Sequence, residues 1–289
     1  MIRIGAIGTQ STHTKNFIRI CNIDKAFGDE VRITALCGND DTKEHLEETA
    51  QKGEITEIYE NPEDMIGKVD AVMILHRYGD MHIDAFLKFA DANIPVWIDK
   101  PICKSVDNIR ILKEISEKNN MLVTGGSTVK YHYAVEGLKD IINTGALGNI
   151  TGGALNFSAN TENVYDGIFF YGPHLVEIML AVFGYDVKSV TAKSVAPGNT
   201  SVIFKYEDKL VNASFNDKCP KRHITVYGDK DIATKDIHGT LLTYELGLRK
   251  FIEMIKTKKM PLTIDELTKS VYLLNAIEKS LKEDKEIYL

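Results

Sequence analysis

The sequence predicts an α/β protein in two parts, and three observations carry that reading. Over residues 1–125, six short apolar runs alternate with stretches of helical periodicity, the rhythm of units whose strands lie parallel. Beyond Gly126 the strand-like runs crowd together and are joined by short turns such as Glu207-Asp208, which indicates antiparallel pairing. The length of 289 residues exceeds what a single hydrophobic core usually organises.

In the first part, Ile2 to Ile7 reads as a buried strand, and Gly8-Thr9-Gln10-Ser11-Thr12-His13 turns it into a helix bearing Phe17, Ile20 and Cys21. Ser11 or Thr12 has the chemistry of an N-cap. Further strands are expected at Val31 to Cys37, Thr56 to Tyr59, Val69 to Leu75, Val96 to Asp99 and Met121 to Thr124. Helices Thr42 to Gln51, Met81 to Ala92 and Val106 to Glu117 alternate with them. Six strands in this order make a Rossmann-like, doubly wound parallel sheet, assigned to residues 1–125.

Residues 126–289 read as an α+β domain with a largely antiparallel open sheet. A helix from Tyr133 to Asn143 leads through Gly145-Ala146-Leu147-Gly148-Asn149-Ile150 to a strand at Gly153 to Ala159, and a long apolar helix is expected over Pro173 to Phe183. Strands follow at Val187 to Val195, Ser201 to Tyr206, Leu210 to Phe215, His223 to Tyr227 and Ile232 to Ile237. Two terminal helices, Tyr244 to Lys256 and Asp265 to Leu281, carry helix-spaced apolar residues and are expected to pack on this sheet. Its other face, with Val202, Phe204 and Tyr206 on it, is then expected to be the surface of self-association into a homodimer or homotetramer.

Composition narrows the ligand. With 44% hydrophobic and 26% charged residues and a formal net charge of -6, the chain has no basic stripe for nucleic acid and no apolar run long enough to span a membrane. A small molecule is the expected ligand. Cys21, Cys37, Cys103 and Cys219 show no C-x-x-C spacing, so reduced thiols and a cytoplasmic setting are expected, without structural zinc.

The chemistry concentrates at Val96-Trp97-Ile98-Asp99-Lys100-Pro101. The apolar run stops at an acid, a base and a proline, so Lys100 should sit extended at the carboxyl end of a buried strand, where open α/β sheets place their sites. On its own this lysine reads more readily as a solvated strand cap.

These motifs together resemble the glucose-fructose oxidoreductase and inositol dehydrogenase family (Gfo/Idh/MocA). The resemblance rests on D-K-P after the fifth strand, the G-x-L-G-x-I turn at 145–150 and the later G-x-H at Gly172-Pro173-His174, and it spans nearly the whole chain. It implies an NAD- or NADP-dependent oxidation of a sugar, polyol or cyclitol hydroxyl, with Lys100 near the nicotinamide and His174 assisting proton transfer. A hydride transfer needs a base within hydrogen-bond reach of the hydroxyl, and either side chain can take the proton. The two are expected to face one interdomain crevice, shared by Tyr171 and Glu177. Lys130, in the Lys130-Tyr131 pair after the sixth strand, is expected to contact substrate, with an ordinary domain-boundary contact as the other reading.

The departures are specific. Aligned with the G-x-G-x-x-G fingerprint are Gly8, Gln10 and His13, so only the first glycine remains. Cofactor contacts are expected from Gly8, Thr9, Gln10, Ser11 and Thr12, with pyrophosphate at the helix N-terminus. Gly38 replaces the acid that usually holds the adenosine ribose, with Asn39 and Asp40 next, which leaves NAD and NADP both open. His76, after the fourth strand, and Asp99 complete the expected cofactor contacts. His76 and His82 lack a metal-ligand spacing, so no metal is expected. Phe170 stands where the family often has aspartate, and Asp166 or Tyr165 is the candidate substitute. Two other readings remain: a hydrolase or lyase using transient oxidation on the same fold, and a catalytically silent sensor.

Overall fold

The computed structural model describes residues 1–289 and divides into two compact units. One comprises Met1–Gly126 with Tyr244–Leu267, the other Ser127–Thr243 with Thr268–Leu289. The first holds six strands: β1 (Ile2–Ile7), β2 (Val31–Cys37), β3 (Glu57–Tyr59), β4 (Ala71–Ile74), β5 (Val96–Ile98) and β6 (Val123–Gly125). All pair in parallel, in the order β3-β2-β1-β4-β5-β6. Strand order therefore reverses beside β1, and the carboxyl ends of β1 and β4 flank the crevice that this topology opens. Strands β4 and β5 are buried at every position, which is why they read as unbroken apolar runs.

Helices α1 (Thr12–Ile18), α2 (Lys43–Lys52), α3 (Asp80–Leu87) and α4 (Val106–Lys118) connect the strands. Three start on hydroxyl caps: Ser11, Thr42 and Ser105 accept the amides of His13, His45 and Asn108. α1 runs on into a π-helical turn, Arg19–Ile23. There the buried Asn22 bonds Ile33 N, Ile33 O and Gly53 O at 2.7–2.9 Å and so ties the helix to β2. At the end of β6, Gly125 (φ +140°) lies so close to β5 that a Cβ would stand 1.8 Å from Ile98 O. Only glycine permits that approach.

The second unit contains α5 (Tyr133–Asn143), β7 (Ile150–Phe157), α6 (Ile168–Phe183), β8 (Ser189–Ala196), β9 (Asn199–Lys205), β10 (Leu210–Asn216), β11 (His223–Gly228) and β12 (Ile232–Asp236). With the C-terminal β13 (Ile287–Tyr288) they form a seven-stranded sheet in the order β12-β11-β7-β10-β9-β8-β13. Every pairing is antiparallel except β7 with β10. Helix α6 begins five residues before Pro173. Ile168 and Phe169 are buried and anchor an extra turn, so the proline lies inside the helix instead of opening it.

Two expectations are corrected here. Val202, Phe204 and Tyr206 are core residues at 1%, 0% and 4% exposure, and the outward set on β9 is Ser201, Ile203 and Lys205. Alternation separates two faces of a strand, and the more apolar set goes under cover. A cross-strand row on the open face instead reads Leu210, Gly152, Tyr227, Ile232, in register on β10, β7, β11 and β12. The second correction concerns the terminal helices α7 (Leu241–Thr257) and α8 (Ile264–Glu283). From Tyr244 onward α7 belongs to the first unit, where Phe251 packs edge-on to Trp97 at 5.9 Å. The later part of α8 does serve the second sheet: Ser280 accepts Ala192 N at 2.9 Å.

Candidate functional site

The turn after β1 is built around Gly8. Its φ is +90°, and a Cβ there would stand 2.6 Å from His76 N, so glycine is required for both conformation and space. Thr14 holds the turn by donating to Gly8 O at 2.6 Å. Ser11 caps α1, Thr12 is exposed at its first position, and Gln10 lies between Asp40 O, which its side chain reaches at 3.3 Å, and Arg77, which donates to Gln10 O at 2.6 Å.

The end of β2 brings two carboxylates to the same turn. Asp40 accepts Thr9 N at 2.9 Å and Asp41 accepts the Thr9 hydroxyl at 3.0 Å. Burial pushes the Asp40 carboxyl above its ordinary value, and its second oxygen has no partner. From β4 comes His76, almost wholly buried. Burial, reinforced by the neighbouring His82, lowers its pKa to about 3, so the ring is neutral. A neutral ring that donates Nε2–H to Asn39 Oδ1 at 2.7 Å leaves Nδ1 as an acceptor, and that atom is buried without a partner.

Asp99 and Lys100 follow β5 and are buried, at 2% and 6% exposure. Asp99 N donates to Ile74 O at 2.9 Å, and its carboxylate meets His13 Nδ1 at 2.7 Å. Burial opposes the charge on Asp99, but His13, with smaller help from Lys100, outweighs it and holds the carboxyl below its usual value. His82, inside α3, has Nδ1 2.6 Å from Pro101 O and so fixes the far side of the D-K-P segment. Gly8, Thr9, Gln10, Asn39 and His76 are thus one bonded group at the carboxyl edge of the sheet, and Asp99 joins α1 through His13.

In the second unit the sequence-predicted residues gather around α6. His174 Nδ1 lies 2.6 Å from Ser127 Oγ. Ser127 N is held by Glu177 at 3.0 Å, and the same Glu177 oxygen accepts Lys130 Nζ at 2.8 Å. Lys130 and Glu177 form a buried ion pair in which the carboxylate outweighs desolvation and holds the ammonium above its ordinary value. Tyr171 lies 6.3 Å from His174 between ring centroids, and Phe157 stacks on His174 at 5.7 Å. Asp166 is buried in the turn before α6, its carbonyl accepting Phe169 N at 3.0 Å. Phe170 packs between Tyr165 and Tyr171.

Ser127, Asp41 and His13 as the partner of Asp99 are the residues that reading the sequence misses. Ser127 carried one signal, a hydroxyl directly after a strand-ending Gly-Gly pair. The other two depend on contacts 32 and 86 residues apart.

A parallel six-stranded sheet with a Cβ-excluding glycine turn at its switch point defines a nucleotide-binding α/β class. Residues 2–127 match a family model, GFO_IDH_MocA, described as an oxidoreductase family with an NAD-binding Rossmann fold. No curated protein matches the chain. Among solved structures it is similar to a putative myo-inositol dehydrogenase from Sinorhizobium meliloti 1021, with 16% identity, TM-score 0.84, and 100% of this chain and 99% of that one covered. It is likewise similar to a myo-inositol dehydrogenase from Corynebacterium glutamicum, at 14% identity, TM-score 0.84 and the same coverage. A scyllo-inositol dehydrogenase from Lactobacillus casei with bound NAD(H) and scyllo-inositol gives 14% identity, TM-score 0.82 and again the same coverage.

The residues present fit an NAD molecule. Gly8 admits no side chain, Ser11 and Thr12 open α1, Asp40 and Asp41 follow β2 beside the same turn, and His76 Nδ1 has an unused lone pair.

The Asp99–His13 pair carries a pH prediction. A depressed carboxyl contributes stability that is present above its unfolded value of about 3.9 and is lost as pH falls through the folded value. His13→Ala should therefore cost about 1–3 kcal/mol in urea unfolding at pH 7. The gap to wild type should narrow as the pH is taken below about 4. An equal gap at both pH values would contradict the assignment.

Proposed function

We propose that this protein is an NAD-dependent dehydrogenase that oxidises a secondary alcohol of a sugar, polyol or cyclitol, with Lys100 and His174 as its acid-base pair. The observation that carries the reading is His174, held at Nδ1 by Ser127 within a unit that follows a family NAD-binding domain. The inositol substrates in the names of similar structures support the same class. NAD, when bound, supplies the hydride acceptor. In the tautomer that donates Nδ1–H to Ser127, His174 Nε2 offers its lone pair to the substrate hydroxyl. The carbon–hydrogen bond then breaks with its electron pair, the proton passes to the base and the carbonyl forms. The Lys130–Glu177 pair positions Ser127, and through it the imidazole.

Asp40 and Asp41 favour NAD over NADP, because a 2′-phosphate would be set beside two carboxylates. The silent-sensor reading draws on the Thr9 amide, which Asp40 already occupies, and turnover decides against it or for it. Self-association is proposed through the open sheet face at Leu210, Tyr227 and Ile232, which are 50%, 37% and 60% exposed.

Lys100→Ala and His174→Ala should each lower kcat by about a hundred-fold to ten-thousand-fold, and the double substitution should fall well short of the product of the two losses. A Lys100→Ala enzyme within about three-fold of wild type, far outside that range, would remove Lys100 from the acid-base role. For the open face, light scattering at micromolar concentration should show an oligomer that Leu210→Asp with Tyr227→Asp dissociates. A monomeric wild type sinks that surface.

A further inference from the structure

Where β11 begins and β12 ends, the second unit has a cavity of about 310 Å³ lined by Pro220, Lys221, Arg222, Asp236, Ile237 and His238. Its charge is unusual for a chain whose net charge is -6. Arg222 and Lys221 are adjacent cations, and Asp236 also lines the cavity. The Arg222 guanidinium carbon lies 4.6 Å from the centre of the Phe157 ring, and its Nε is buried with no hydrogen-bond partner. A guanidinium tolerates this desolvation better than an ammonium does, because it is weakly hydrated and stacks on aromatic faces. The open N–H still favours an acceptor that arrives with a ligand.

Phe157 connects this cation to the proposed reaction centre. Its ring stacks on His174 with centroids 5.7 Å apart and planes 24° apart. The guanidinium therefore lies no further from the imidazole than those two short spans together, with the buried Phe157 ring as their common neighbour. Planar bidentate recognition of carboxylate or phosphate is what an arginine fork does best.

We propose that the alcohol oxidised by this protein carries an anionic group, a carboxylate or a phosphate, and that Arg222 binds it with Lys221 beside it while the reacting hydroxyl lies at His174. This rests on the dehydrogenase reading and sharpens its substrate class from sugars and polyols in general to their acidic derivatives. The anion is a binding handle and takes no part in the bond changes. Neutral polyols lacking it leave Arg222 Nε unsatisfied and should be poor substrates.

The test compares NAD reduction with myo-inositol, a hexuronate and a hexose 6-phosphate, in wild type, Arg222→Gln, Arg222→Lys and Lys221→Gln. At least one charged substrate should exceed the neutral one in kcat/KM by about ten-fold to hundred-fold, the size of a charge-assisted hydrogen bond. The uronate and phosphate arms identify which anion it is. Arg222→Gln should remove that advantage, mainly by raising KM for the charged substrate about ten-fold or more. Arg222→Lys should restore part of it. Lys221 is exposed, so Lys221→Gln offers a weaker effect in a variant that keeps the Phe157 stack.

A readout without turnover separates the two claims: D-glucuronate or inorganic phosphate should raise the melting temperature of wild type and not of Arg222→Gln. If no alcohol reduces NAD but this shift is seen, the dehydrogenase reading fails and the anion site stands. If myo-inositol is turned over as well as the charged substrates, or Arg222→Gln lowers both equally, the anion site is overturned.

Discussion

A buried carboxylate at the end of β5 sets the terms for the first unit. Asp99 is almost fully enclosed, and an ionised carboxylate there is tolerable only with a close partner. His13 supplies it at 2.7 Å from the first turn of α1. That choice explains why the third glycine of the dinucleotide fingerprint is absent, since the position serves a buried pair in place of close helix packing. It also explains where α7 goes. Tyr244 stands edge-on to His13 at 5.0 Å and to Phe17 at 5.5 Å, and Phe17, Trp97 and Phe251 continue the cluster across α1, β5 and α7. The helix that sequence order assigns to the second part is thus recruited to enclose the imidazole. Lys100, the next residue, inherits a fixed origin from this arrangement, with His82 holding Pro101 O on its far side.

The second unit follows the same logic with different groups. Lys130 and Glu177 are buried together, and a pair of that kind contributes position more dependably than stability. Glu177 passes that position to Ser127 through a backbone amide, Ser127 to His174, and His174 meets Phe157, whose ring also carries Arg222. The imidazole of His174 is oriented on one side by hydrogen bonds and on another by a ring that also meets a cation.

Much of this was legible from the residues. Apolar runs bounded by glycine, proline and polar caps located all six strands of the parallel sheet within a few residues, because a strand buried on both faces has little choice of composition. Lys100 and His174 were singled out as candidates from local context, a proline after a strand and a Gly-Pro-His run in an apolar helix. What was not legible is what depends on the distant partner. Alternation in β9 marked Val202, Phe204 and Tyr206 as one face but not as the covered one. Tyr244 showed a helical period without showing which sheet it would serve. Ser127, His13 and Arg222 owe their roles to residues 47, 86 and 65 positions away, and such pairings leave no local periodicity.

The central claim is that the altered turn at Gly8 to His13 still receives a dinucleotide and, through Asp40 and Asp41, prefers the one without a 2′-phosphate. Calorimetric titration of the intact chain with NAD and with NADP tests it most directly. The account predicts an NAD dissociation constant well below about 1 mM, with NADP at least about ten-fold weaker. No saturable heat from either dinucleotide, or tighter binding of NADP, would contradict it.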